Sequence, residues 1–168
     1  MSPQVQGFTY NKTANVSIAA GETVPASIGK EIDLGLGVDQ VARILAIDIS
    51  AKSGTECGQD GYQRVRATVY TDPEEVVGRV YSDDEIIAFI EDDNDQGAVA
   101  LGPFNRGRQR FLDFTNMNVI TSRNLGFGVT IASNIATHSE GEASVNVWYE
   151  KVVPSANELN RILARRYG

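Results

Sequence analysis

The sequence predicts an all-β protein: a single jelly-roll β-sandwich of about eight strands, followed by a short C-terminal helix. Three observations lead to this fold class. Apolar residues alternate with polar or small residues at period two in most of the apolar segments. No helical pattern lies between two predicted strands, so βαβ units are not expected. Helical apolar spacing accompanied by capping residues occurs at the C-terminal end of the chain.

Residues 110–152 are the stretch around which the predicted fold is organised. Leu125, Phe127, Val129 and Ile131 alternate with small or polar residues, and residues 145–149 repeat the pattern after a polar turn at 138–143. Alternation in both arms around a turn that contains glycine is typical of an antiparallel β-hairpin with one buried face. A third strand is expected at 111–115, and the resulting meander must pack on a second sheet.

The preceding part of the chain supplies that second sheet. Residues 1–15 are polar and predict an N-terminal arm, and the β-sandwich is expected to span 16–153. Short strands are expected at 16–19 and 24–28, and a strand or a loop edge at 32–38. Stronger strands are expected at 41–50, with Leu45, Ile47 and Ile49 on one face, and at 63–70, with Arg64 and Arg66 opposite the apolar face.

Residues 72–95 form an acidic region that gives conflicting signals. Ser82 and Glu85 match a capping box, which favours a helix. The β-branched apolar run at 86–90 favours a buried strand. Because the run is short, we interpret it as a strand. A further strand is possible at 97–101, and a loop is expected at 102–110.

The C-terminal segment, 154–168, differs from the rest of the chain. Pro154 ends the last strand, while Ser155 and Glu158 make a capping box. The apolar stripe of Leu159, Ile162 and Leu163 predicts a helix too short to be stable alone. The helix is therefore expected to dock on its own sandwich or on another chain.

Composition limits the function classes. The formal net charge of −7 argues against general nucleic-acid binding, which needs clustered Lys and Arg. The single cysteine, Cys57, excludes an intrachain disulfide. The first residues lack the basic and apolar parts of a signal peptide, so synthesis in a cytoplasm is expected.

No set of residues in the sequence predicts catalysis, a cofactor or a metal site. The one histidine, His138, lies in the predicted turn, where we expect it to be exposed. Asp92, Asn94 and Gln96 resemble the start of a calcium loop, but Pro103 stands where the bidentate Glu is needed. Calcium binding by the acidic region is left open, and an enzyme is the least favoured class.

Charge and aromatic placement instead predict interaction surfaces. Arg106, Arg108 and Arg110 form a basic loop that could pair with the acidic region of another subunit, although two unrelated solvated patches fit equally well. Trp148 falls on the less apolar face of its strand, so either the helix or a partner covers it. The other expected interface residues belong to the helix: Leu159, Ile162, Arg165 and Tyr167.

The segment FLDFTNMNVITSRNLGFGVTIASNIATHSEGEASVNVWYEKVV, residues 111–153, resembles the C-terminal strands of a viral family. The family comprises the small single jelly-roll major capsid proteins of icosahedral, internal-membrane viruses of thermophilic bacteria and haloarchaea (sphaerolipovirus-like). The resemblance extends in pattern over about residues 41–152 and includes no invariant motif.

The resemblance implies a capsid subunit located in the virion, made in the host cytoplasm, and requiring no cofactor. Its partners would be copies of itself in capsomers, a second and larger capsid protein, and the internal membrane, without direct nucleic-acid contact. Two alternatives stay open: a carbohydrate-binding β-sandwich module, and a decoration or spike protein of a viral head.

Overall fold

A computed structural model describes residues 8–22, 26–54, 62–71, 86–95, 107–133, 138–157 and 160. Nine strands lie in this part of the chain: β1 (Thr9–Ile18), β2 (Ala26–Ile32), β3 (Val41–Ser53), β4 (Tyr62–Tyr70), β5 (Ile86–Asp95), β6 (Arg108–Asp113), β7 (Ile120–Thr121), β8 (Leu125–Ser133) and β9 (Gly141–Val152).

The strands form two sheets that face each other. One sheet has the order β1-β9-β3-β6, with the short β7 also paired to β3, and the other has the order β2-β8-β4-β5. All pairs between these strands are antiparallel. Eight long strands distributed between two sheets in this order make a jelly roll, which confirms the predicted fold class. The ninth strand, β7, has only two residues and was not expected.

The hairpin predicted from β8 and β9 is wrong. The strands themselves are present and bury the expected side chains, but β8 pairs with β2 and β4, whereas β9 pairs with β1 and β3. The expected strand at 111–115 corresponds to β6, which pairs with β3 and not with β8. Periodicity identifies the buried face of a strand and does not identify its neighbours. The connection at 134–140 is longer than a tight hairpin turn, and it crosses from one sheet to the other.

Strand β3 buries a different set of side chains from the one expected. The pairing register of β3 with β9 shifts between Ile44 and Ala46, which places a β-bulge at Leu45. As a result Ile44, Ile47 and Ile49 are fully buried, while Leu45 is only partly buried. Before the bulge the even-numbered residues face the core, and after it the odd-numbered residues do. The prediction assumed one unbroken alternation, so it assigned the wrong face to the core in the first half of the strand.

The remaining strands largely follow the sequence prediction. Residues 86–90 belong to β5, as the apolar run indicated. β1 begins at Thr9 and pairs with β9 along its whole length, so much of the predicted arm is part of the sheet. Ala156, Asn157 and Asn160 have helical backbone. Pro154 and Ser155 of the predicted helical segment are not helical. Residues 158–159 and 161–168 of that segment, the possible strand at 97–101 and Cys57 lie outside the described residues.

The core lies between the inner faces of the two sheets. Its largest fully buried apolar side chains come from both sheets and from the loop after β2: Tyr149, Phe127, Leu34, Ile44, Ile47, Ile49, Leu125 and Ile131. The loop is fixed to the sandwich because the Tyr149 hydroxyl donates to the Leu34 carbonyl at 2.7 Å. Burial raises the pKa of that hydroxyl, and the nearby Asp33 raises it further.

Gly141, the first residue of β9, packs too closely on the core for any side chain. A Cβ at this position would lie 2.7 Å from Ile131 Cδ1 and 3.1 Å from Val65 Cγ2. We expect Gly141→Ala to lower the free energy of unfolding by about 1–3 kcal/mol, because both neighbours are buried. Urea denaturation measures the loss. Gly37→Ala is the control, since a Cβ there would meet only the flexible Gln40 side chain at 3.4 Å. Equal stability of the two variants would contradict this packing.

Candidate interaction surfaces

The predicted basic loop is partly a strand. Arg108 and Arg110 belong to β6 and pair with Ala51 and Ile49, so they lie on the core-facing side of an edge strand. Both are nonetheless exposed, because β6 is the last strand of its sheet. They therefore line the open edge of the sandwich between β6 and β5. Arg106 of the same cluster, and Leu159, Ile162, Arg165 and Tyr167 of the predicted helix, lie outside the described residues.

The described part of the acidic region has basic partners within its own chain. Arg64 Nε lies 2.7 Å from Asp93 Oδ1, and Arg66 Nε lies 2.7 Å from Glu91 Oε1. These pairs join β4 to β5 on the outer face of their sheet. Because the side chains are partly exposed, each pair contributes less than about 1 kcal/mol. The pairs offset the charges of Glu91 and Asp93.

The pKa of Asp93 on β5 is lowered by its hydrogen-bonded and charged neighbours. Burial raises the pKa of Asp93, but hydrogen bonds from Arg64 and Tyr62, together with the positive charges of Arg64 and Arg108, outweigh burial and leave the pKa lowered. The Tyr62 hydroxyl donates to Asp93 at 2.9 Å, and burial followed by this bond raises the pKa of Tyr62. The positive charge of Arg108 therefore acts on Asp93 from the neighbouring edge strand.

Trp148 lies on the outer face of the β1-β9-β3-β6 sheet, as its sequence position indicated. Phe111 on β6 packs against it edge-on, with ring centroids 6.0 Å apart and planes at 62°. Phe111 is 62% exposed, and Trp148 is partly buried. Two neighbouring aromatic side chains on a solvent-facing sheet surface are available to a ligand or a partner.

The same outer face carries a polar groove, defined here by two adjoining depressions of about 510 and 200 Å³. Cross-strand pairing builds it in rows. One row runs Thr13, Asn146, Asp48 and Phe111, and the next runs Asn15, Ser144, Ser50 and Gln109. Sequence reasoning missed this surface, because its residues come from four strands that the sequence does not place side by side.

A second surface, the apolar end, lies where β3 begins and β9 finishes. Val152 pairs with Val41, and Val38 lies three residues before Val41 in the sequence. Val38 is fully exposed and Val153 is 69% exposed. These exposed valines make this end of the sandwich a candidate contact surface.

His138 is buried, so the prediction that it is exposed in a turn is wrong. Its backbone forms a two-way bridge with Gly21, with N–H···O distances of 2.9 and 3.1 Å, and its Nδ1 lies 2.9 Å from the Ser139 carbonyl oxygen. The carbonyl can only accept, so Nδ1 carries the proton. The bridge holds the segment before β9 against the segment after β1, which is a structural role.

Next to His138 is a buried polar cluster, the clasp, centred on Gln63. Its Oε1 accepts from Ser139 N at 2.8 Å, and its Nε2 donates to Ser53 Oγ at 2.9 Å and to the Glu140 carbonyl at 3.2 Å. Asp92 completes the clasp by accepting from Ser53 N at 2.8 Å. The clasp joins β3, β4, β5 and the segment leading into β9, and so links the two sheets.

Within residues 8–22, 26–54, 62–71, 86–95, 107–133, 138–157 and 160, no group of three or more His, Cys, Asp and Glu side chains is arranged to hold a metal ion. The same part of the chain contains no helix of the length and apolarity that crossing a bilayer requires.

Among known proteins, only solved structures were found to be similar to this chain. No protein family and no curated protein was found to match the sequence. A chain from the structure of desmodium yellow mottle tymovirus has 8% identity and a TM-score of 0.43, covering 89% of this chain and 91% of that chain. A chain from the structure of turnip yellow mosaic virus has 9% identity and a TM-score of 0.37, covering 90% and 98%. The jelly-roll assignment above rests on strand order and register.

Proposed function

We propose that this chain is a capsid subunit: a single jelly roll that assembles with copies of itself into an icosahedral shell. The observation that carries the proposal is the strand order, β1-β9-β3-β6 facing β2-β8-β4-β5. Viral capsid domains and lectin domains both use this architecture. The resemblance of residues 111–153 to small single jelly-roll capsid proteins favours the viral role.

The apolar end supports assembly as the mechanism. Val38, Val152 and Val153 expose apolar surface at one end of the sandwich. Contact between such ends removes apolar area from water, and closed symmetry then repeats the contact around a shell. A rigid sandwich suits this role, because the clasp and the core fix the position of the contact surfaces.

The finer features of the proposal follow from the resemblance. A second and larger capsid protein would share the shell, and an internal membrane would lie beneath it. Arg108 and Arg110, which are exposed at the sandwich edge, would meet acidic residues of a neighbouring subunit. The subunit would be made in the host cytoplasm and would act in the virion.

Absolute mass in solution tests the proposal. Light scattering on a sizing column, over a range of protein concentrations, is expected to give discrete oligomers or shells whose population rises with concentration, because assembly follows mass action. Addition of the partner chain from the same source extends the test to a two-protein shell. A strict monomer under every condition, with and without the partner, would contradict the proposal.

A further inference from the structure

The polar groove on the outer face of the β1-β9-β3-β6 sheet is lined mostly by uncharged polar side chains. Its central rows hold amides and hydroxyls with a single carboxylate, Asp48. Lys52 and Glu142 pair across one end of the groove, and Arg108 of the edge strand β6 borders that end. A polar but mostly uncharged surface does not favour a phosphate-rich ligand, which Asp48 would repel. It matches a ligand that carries many neutral hydroxyl groups.

The polar groups of the groove are held in position by one another. Gln109 Nε2 lies 3.0 and 2.8 Å from the two Asp48 oxygens, and Thr13 Oγ1 donates to Asn146 Oδ1 at 3.0 Å. Because Asn146 accepts from Thr13 through Oδ1, the NH₂ group of the Asn146 amide is directed away from Thr13. Side chains that are fixed on strands present donors and acceptors at a low entropic cost, which favours ligand binding.

Aromatic surface adjoins these polar groups. Phe111 shares its row with Asp48 and Asn146, and Trp148 lies one row further along β9. An aromatic face carries a partial negative charge and attracts the C–H groups of a sugar ring, while the ring hydroxyls need donors and acceptors nearby. Ligand sites typically combine apolar aromatic surface with a few fixed polar groups.

We propose that this groove binds a neutral oligosaccharide. One sugar ring packs on the Phe111 and Trp148 pair, and hydroxyls of that ring and its neighbour bond to the Asn146 amide and the Asp48 carboxylate. Asn15, whose amide has no hydrogen-bond partner among the described residues, extends the polar contacts along the next row. The site goes beyond the capsid proposal and does not depend on it, because a monomer presents the complete groove.

Intrinsic fluorescence gives a direct test, because Trp148 is the only tryptophan in the chain. The probes are linear neutral oligosaccharides of glucose, mannose and galactose, titrated to about 10 mM, a concentration that saturates a site with a Kd near 1 mM. We expect at least one probe to produce a saturable change in Trp148 emission. Asn146→Ala and Phe111→Ser are each expected to weaken binding about tenfold, and Val38→Asp, at the apolar end, is expected to bind as the unaltered chain does.

Two results would overturn the assignment. The first is the absence of a saturable response to every probe, in emission and in backbone amide NMR shifts, or a response that both groove variants leave unchanged. The second is a lower oligomeric mass for Phe111→Ser, which would make the groove a contact between copies of this chain. Neither result depends on whether a shell forms, so this test and the test of the capsid proposal fail independently.

Discussion

Replacing Gln63 with Leu is expected to lower the free energy of unfolding by about 3–5 kcal/mol, because the clasp would lose its central amide. Leu has a similar volume, so the variant creates no large cavity. The Ser139 N–H would lose the acceptor that now lies at 2.8 Å, and Ser53 Oγ would lose the donor at 2.9 Å, whereas the Glu140 carbonyl would keep its bond from Gly54 N. Each buried polar group left without a partner costs about 1–3 kcal/mol.

Gln109→Leu is the matched control for this variant. Gln109 is also a strand glutamine, but it is exposed and bonds to the exposed carboxylate of Asp48, so its loss is expected to change stability by less than about 1 kcal/mol. Guanidinium denaturation of both variants gives the comparison. A similar small loss for the two variants would show that the clasp does not join the sheets as described.

The double variant Val38→Asp with Val153→Asp is expected to weaken self-association at least 100-fold. Both residues are exposed at the apolar end, so neither substitution disturbs the core of the monomer. A carboxylate that becomes buried in an interface without a partner costs several kcal/mol, and about 1.4 kcal/mol corresponds to a factor of ten in the equilibrium constant. Light scattering against concentration measures the shift.

Thermal unfolding and Phe111→Ser supply the controls for the double variant. The unfolding midpoint of the variant at low concentration should match that of the unaltered chain, and Phe111→Ser should assemble normally. If the double variant assembles at the same protein concentrations as the unaltered chain, the apolar end is not the contact between subunits.

Local patterns predicted most of the strands and their buried faces. Leu125, Phe127, Val129 and Ile131 are buried as the alternation required, and the apolar run at the start of β5 is a strand despite its capping-box signal. These predictions succeed because each depends only on the local sequence and on the burial of one face of a sheet.

Features that depend on strand pairing were not accessible from the sequence. β8 and β9 are consecutive, which suggested a hairpin, yet they belong to opposite sheets. The bulge at Leu45, the burial of His138 against Gly21, and the clasp around Gln63 each arise from contacts between distant segments. The polar groove is another such case, since its rows exist only once β1, β9, β3 and β6 are set side by side.

Electron cryomicroscopy of the purified chain, at concentrations where its mass exceeds that of a monomer, tests the central claim most directly. The account predicts closed particles built of repeated jelly rolls with the strand order β1-β9-β3-β6 and β2-β8-β4-β5, in contact through the apolar end that contains Val38 and Val153. Monomers alone, irregular aggregates, or ordered particles in which that end faces solvent would contradict it.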